Sequence, residues 1–190
     1  LTAHGMFWAL TTGELANWHP LTWLSYMLDV QLFGLNAGAL HFTNLLLHIA
    51  NTMLVVVLLW MLFKNPWPAA LTGLLFGVHP LTVEPIPWIG ERKTLLAAFF
   101  VLWAIIAYVR YTSTKSRGLC TVVAFLYLLA LMSKPTSTPL PLALLLMDIW
   151  PLRRFGRWSV VEKVPLFLIG AASAVITYVS QAATYVQTPV

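Results

Sequence analysis

Charge is what this sequence has least of. Only 9% of its 190 residues are Asp, Glu, Lys or Arg, against about a quarter in a soluble domain. Hydrophobic residues make up 59%, and the mean hydropathy is +0.81. This excludes an ordinary soluble domain and marks an integral membrane protein. Cysteine is nearly missing too. A single thiol, Cys120, rules out an internal disulfide and any CxxC or Cys/His zinc spacing. At the head of an apolar run it is expected to be buried and inert. No P-loop, GxSxG or HExxH motif occurs. The net charge of +5 does not point to nucleic acid, because its meaning in a membrane protein lies in where the charges fall. The chain opens at Leu1 with no basic stretch and cleavage site ahead of it. No signal peptide is expected, and the sequence reads as a piece of a longer protein.

What is there is a series of apolar runs. Residues 1–40 are broken by Gly5, Gly13, Pro20, Gly34 and Gly38, so they are expected to form a re-entrant or surface-lying loop rather than a span. Trp8, Trp18 and Trp23 suit the membrane–water interface. Thr11–Glu14 is expected to turn. A short helix is predicted from Pro20 to about Phe33, with Asp29 and Gln31 toward water. Six spans follow, near 41–63, 67–78, 94–111, 119–132, 140–150 and 164–182. The fold expected is an all-α, polytopic transmembrane helical bundle with interfacial loop helices. His41, Asn44, His48 and Asn51 share one face of the first span. They either make hydrogen bonds to neighbouring helices or wall a wet cavity. The second run, Trp67–Val78, is short for a hydrocarbon core of about 30 Å.

Alternating the spans puts Lys64, Arg110, Lys115, Arg117, Arg153, Arg154, Arg157 and Lys163 on one side. Arg92, Lys93 and Lys134 fall on the other, with Glu14, Asp29, Glu84 and Glu91. The excess of Lys and Arg makes the first side cytoplasmic. Asp148, near that side, is expected to pair with the arginines after it.

The chemistry concentrates in residues 79–93, HPLTVEPIPWIGERK. A polar cluster between apolar spans calls for a function. Pro80, Pro85 and Pro87 bias the residues before them toward extended backbone, which predicts Glu84 in an extended loop. A helix is predicted from Pro87 onward, with Trp88, Glu91 and Arg92 on one face. Glu91 with Arg92 or Lys93 forms either a solvated ion pair of little weight or part of an anion site. In the second case Arg92 and Lys93 hold a phosphate, and a carboxylate orients an acceptor hydroxyl or takes its proton. Lys134 either snorkels to the interface or adds to that site. Asn17-Trp18-His19-Pro20 serves as a helix cap and Trp anchor or lines the same site.

Several long stretches carry a resemblance. NWHPLTWLSYMLDVQLFGLN at 17–36, LHFTNLLLHIANT at 40–52 and HPLTVEPIPWIGERKTLL at 79–96 are three of them. MSKP at 132–135 and LLLMDIWPL at 144–152 are the others. Together they resemble the transmembrane-and-tetratricopeptide-repeat O-mannosyltransferases and their bacterial relatives. The resemblance implies a GT-C type membrane glycosyltransferase. Such an enzyme moves a sugar, here mannose, from a polyprenyl-phosphate carrier to a protein or glycan hydroxyl on the non-cytoplasmic face. It implies localisation in a bacterial inner membrane or the endoplasmic reticulum, with the outer loops periplasmic or lumenal. Glu84, His79 and Glu91 are the implied catalytic group. Arg92, Lys93, Lys134, His19, Asn17 and Trp88 are the implied substrate- and phosphate-binding group. A lipid-phosphate sugar is the implied donor substrate. No metal ligand set is assigned, no cofactor is firmly implied, and the partners are the bilayer, the donor and the acceptor, not nucleic acid. The family's catalytic carboxylate, in an acidic first-loop motif, is expected upstream of Leu1. Where the family commonly has His and Asp, this chain has Thr82 and Thr94.

The expected organisation is an extracytoplasmic or interfacial loop at 1–40 and a helical bundle at 41–190 carrying the outer loop 79–93. A repeat domain is expected beyond Val190. Two other classes stand beside the transferase: a transporter or flippase for a lipid-linked solute, which needs ionisable residues at mid-membrane, and a non-catalytic membrane anchor for the repeats.

Overall fold

The computed structural model describes residues 2–12 and 18–187. Glu14 and Asn17, and the end of the predicted Thr11–Glu14 turn, lie outside the described residues. Among those described there are helices and turns and no strands. Each helix boundary has a local cause. Helix α1 (Ala3–Thr11) starts at Thr2, whose Oγ1 accepts the Gly5 amide at 3.1 Å. Helix α2 (Pro20–Phe33) has Pro20 in its first turn and stops at Gly34, whose φ of 66° suits glycine. Helix α3 (Ala37–Phe63) is capped by Asn36 and ends at Lys64 in the left-handed region. Helix α4 (Pro66–Val78) is capped by Asn65. Helix α5 (Pro80–Val83) is a single turn capped by His79, whose Nδ1 accepts the Leu81 amide at 3.3 Å.

A 3₁₀ turn at Ile89–Glu91 leads into α6 (Arg92–Thr114). Then come α7 (Arg117–Ser133), a second 3₁₀ turn at Pro135–Ser137, α8 (Leu140–Ile149), α9 (Arg157–Val161) and α10 (Val164–Gln187). Among the described residues three segments are long and apolar enough to cross a membrane: Ala37–Phe63, Ile89–Thr114 and Arg157–Ala182. Helices α4, α7 and α8 supply the other apolar runs but are shorter. The all-α helical bundle expected from the sequence is therefore observed.

Helix α6 is the axis, packed on α7 along one side and on α3 along the other, with α4 outside α3. Close approach needs small residues. Gly73 of α4 meets Val56 of α3, and Gly170 of α10 meets the Tyr127 hydroxyl of α7. The buried core runs through Ala104, Tyr108, Val123, Tyr127, Leu131, Leu144 and Leu166. At the end of the bundle that gathers the arginines, Lys163 is fully buried. Its ammonium donates to Asp148 at 2.5 Å, Tyr108 at 2.6 Å and the Ser159 carbonyl at 2.9 Å. Arg154 joins Asp148 from the other side at 3.2 Å and also binds Glu162. Asp148 thus pairs with the cations after it, as expected, and ties α8 to the start of α10.

Four expectations are corrected. Glu84 is not extended: with φ −46° and ψ −42° it closes α5, because His79 caps the turn that Pro80 starts. The helix after the polar stretch begins at Ile89 rather than Pro87, since Trp88 is still extended. Asp29 does not face water but is 95% buried, drawn inward by Arg92. Cys120 is exposed rather than buried: it lies in the first turn of α7, at the rim of a small cavity shared with Tyr111 of α6 and Leu166 of α10.

Candidate functional site

Helices α1 and α2, α5 and both 3₁₀ turns meet at the end of the bundle opposite the arginines. Arg92 is the first residue of α6 and is completely buried there. One guanidinium nitrogen lies 2.6 Å from Asp29 of α2. Nε donates to the Asn44 side chain at 2.8 Å, and Nη2 donates to the Leu40 carbonyl at 2.9 Å. The plane stacks on Tyr26, 4.7 Å from the ring centroid. Tyr26 donates to the Ile89 carbonyl at 2.6 Å. Burial raises its pKa above the ordinary phenol value, partly countered by Arg92, so it stays a donor. Arg92 therefore joins α2, α3 and α6, and protein groups occupy its Nε and both terminal nitrogens.

The polar stripe of α3 serves the same junction. His41 and Asn44 reach the Ile86 carbonyl, His48 lies 3.0 Å from the Gly77 carbonyl, and Asn51 donates to the Leu95 carbonyl at 3.0 Å. His48 and Asn51 thus bond neighbouring helices, the first of the two readings open at the sequence level, and His41 and Asn44 bond the turn after α5.

Next to this junction lies a second, half-exposed cluster. Glu91 accepts from Thr94 at 2.5 Å and pairs with Lys93 at 3.2 Å and Lys134 at 3.3 Å. Lys134 also donates to Thr94 at 2.7 Å. Lys134 is fixed because Pro135 ends α7 and the following 3₁₀ turn folds its stem toward α6. Lys93 and Lys134 then line a cleft of about 530 Å³, walled by His19, Thr136 and Thr138 and by Thr177 and Tyr178 of α10.

The sequence-predicted residues separate into groups. His19, Lys93 and Lys134 come together at the cleft. Glu91 touches it through the two lysines. Arg92 and Glu91, expected on one face, point to different clusters, because the 3₁₀ turn ahead of α6 rotates them apart. His79, Glu84 and Trp88 are exposed at the same end and do not line the cleft. Asn17 lies outside the described residues. Among the described residues no group of three His, Cys, Asp or Glu could hold a metal ion. Sequence reasoning missed Asp29, Thr94 and Thr136. Asp29 carried a signal, being an acid in an apolar amphipathic helix with no cation at helical spacing.

Comparison with known proteins agrees with the resemblance stated above. Over 104 residues the chain is 32% identical to human protein O-mannosyl-transferase TMTC2, covering 55% of the chain and 12% of that protein. It is 34% identical to mouse protein O-mannosyl-transferase TMTC1 over 119 residues, 60% of the chain and 13% of the relative. Human TMTC3 matches over 121 residues at 28% identity. Over these stretches the chain is similar to protein O-mannosyl-transferases. It spans about an eighth of the length of the relatives it matches. No family model matches, and no solved structure matches.

Proposed function

We propose that this chain forms part of a GT-C type membrane glycosyltransferase acting on proteins, which takes mannose from a polyprenyl-phosphate carrier on the non-cytoplasmic face. The observation that carries the reading is the pair of ammonium groups, Lys93 and Lys134, on one cleft lined with hydroxyls. Two cations beside Thr136 and Thr138 are what a phosphate needs as it takes on charge.

The step is an inverting displacement. The acceptor oxygen bonds to the anomeric carbon as the carbon–oxygen bond to phosphate breaks. The phosphate leaves with the electron pair, and Lys93 and Lys134 stabilise it. The acceptor proton goes to a carboxylate, which the resemblance implies in the loop upstream of Leu1. Glu91 suits this step as a positioning residue, since it holds both lysines and Thr94. Arg92 supports the site from behind by holding α2, and His19 with it, against α6. His79, Glu84 and Trp88, exposed at the same end of the bundle, are assigned to the acceptor side, and Asn17, outside the described residues, is assigned to substrate binding on the resemblance alone. Of the buried ionisable residues, His19, Asp29 and Arg92 sit at one end of the helices and Asp148 and Lys163 at the other, while His48 lies inside α3 and is held by the Gly77 carbonyl at 3.0 Å. The buried carboxylates, lysine and arginine thus lie away from a mid-membrane pathway of the kind a transporter uses, which supports the transferase.

The test is Lys134→Ala in the full-length protein, assayed for transfer from a polyprenyl-phosphate sugar. Loss of one charge-stabilising donor should lower kcat by about 10²-fold, with Lys134→Arg retaining part of it. Wild-type turnover in Lys134→Ala would overturn the reading and favour a non-catalytic anchor.

A further inference from the structure

Opposite the cleft, at the basic end of the bundle, charge is out of balance. Asp148 and Glu162 are the two carboxylates there among the described residues, and Arg154 and Lys163 occupy both. Lys64, Arg110, Lys115, Arg117, Arg153 and Arg157 are all exposed, and among the described residues none of them makes an ion pair. Residues 150–161 form the elbow between α8 and α10, and they turn their polar groups inward. Ser159 is buried, its hydroxyl accepting the Gly156 amide at 2.8 Å and its carbonyl accepting from Lys163 at 2.9 Å. Trp150, Phe155 and Trp158 face outward instead, each 58–66% exposed. Trp150 meets Phe63 with ring centroids 5.7 Å apart, which brings Lys64, the next residue and the cap of α3, to the elbow. Arg157 lies over the Trp158 ring at 5.5 Å. Aromatic rings set among lysine and arginine suit the headgroup level of a bilayer. Cations with no carboxylate beside those rings match an anionic lipid, phosphate to guanidinium and chain to ring.

We propose that Lys64, Arg153 and Arg157 bind the phosphate of an anionic phospholipid from the adjoining leaflet, with its acyl chains against Trp150, Phe155 and Trp158. Lys64 caps α3, Arg153 follows α8 and Arg157 opens α9, so one headgroup ties three elements together. On the orientation set by the basic residues the leaflet is the cytoplasmic one, which carries the anionic lipids. The seat is separate from the Lys93–Lys134 cleft, which lies at the other end of the helices.

The experiment titrates dioleoyl phosphatidylglycerol and dioleoyl phosphatidylcholine onto the full-length protein in a non-ionic detergent and counts bound lipid by native mass spectrometry. Phosphatidylglycerol should be preferred. Arg153→Gln with Arg157→Gln should lower that preference about twenty-five-fold, at about fivefold per cation. Arg153→Lys with Arg157→Lys should keep most of it. Lys115→Gln with Arg117→Gln removes as much charge from the turn between α6 and α7 and should change the preference far less. An equal loss in the two Gln pairs would overturn the seat in favour of a diffuse basic surface, and an unchanged preference in the elbow pair would overturn it outright. Competition by glycerol phosphate, which has the phosphate and no chains, would also overturn it. The loss should persist in a Lys134→Ala background. If it vanishes there, the lipid sits in the cleft, and the elbow proposal fails while the reading of the cleft stands. If the elbow pair lowers the thermal midpoint in phosphatidylcholine, each single Gln substitution is measured instead, with about a fivefold loss expected from each.

Discussion

Arg92 shows how a residue's chemistry depends on its neighbours more than on its type. An arginine at the head of a span, beside a lysine and a glutamate, looks like a phosphate ligand. Its burial with Asp29, Asn44, Leu40 and Tyr26 makes it a brace between three helices. A buried ion pair adds little over an apolar pair of the same shape, but removing one partner leaves the other charge stranded. Asp29→Ala should therefore destabilise the protein by about 3–5 kcal/mol, read as a fall in thermal midpoint in detergent. The amides of residues 20–33 should lose hydrogen-exchange protection first, because Asp29 anchors α2. Asp29→Asn keeps an acceptor and should cost less. If α2 protection is unchanged in Asp29→Ala, Arg92 is not the brace. By contrast Lys134, weakly marked in the sequence as a helix-end cation, turns inward because Pro135 stops α7 one residue after it.

At the scale of the element, what holds α4 on α3 is the absence of a side chain. A methyl on Gly73 would fall 2.2 Å from Val56 Cγ2, and a β-branched valine cannot swing away cheaply. Gly73→Ala should cost about 1–3 kcal/mol by overpacking. Adding Val56→Ala to the same chain should restore much of the loss. Gly118→Ala, where a methyl would meet only Ser116 Oγ at 3.7 Å, should leave the midpoint unchanged or raise it. Equal effects at Gly73 and Gly118 would show that α4 is not closely docked. The apolar helices were legible because composition is local, but the start of α3 was not: it lies at Ala37, after the Asn36 cap, rather than near 41. The loop 79–93 was legible in content and less so in shape. Three prolines suggest extended chain, but His79 and Pro80 together nucleate a turn that takes in Glu84. The direction of each side chain at the start of α6 depends on a 3₁₀ turn that leaves no mark in the spacing. The cleft depends on Thr177 and Tyr178, more than forty residues beyond Lys134, and no local pattern reports such a meeting.

For the molecule as a whole the deciding quantity is how charge divides between the two ends. Of the 11 lysines and arginines, Lys64, Arg110, Lys115, Arg117, Arg153, Arg154, Arg157 and Lys163 lie toward one end. Arg92, Lys93 and Lys134 lie at the other, and each of these three is matched there by Asp29 or Glu91. Such an imbalance orients a helical membrane protein with the basic end in the cytoplasm, and the proposed cleft needs that orientation to meet a donor on the outer face. Glu84 and Ser116 flank α6 and are both exposed, so a crossing by α6 puts them on opposite faces. In a background from which Cys120 and any other cysteine of the full-length protein have been removed, Glu84→Cys should react with a membrane-impermeant maleimide on intact cells or sealed microsomes according to its face. In bacterial cells it should label without permeabilisation, and Ser116→Cys should label only after it; in microsomes, whose lumen is sealed, the order reverses. Labelling of both from one side would show that α6 does not cross. The opposite order in either system would put the Lys93–Lys134 cleft in the cytoplasm, where the proposed transfer has no outer-face acceptor.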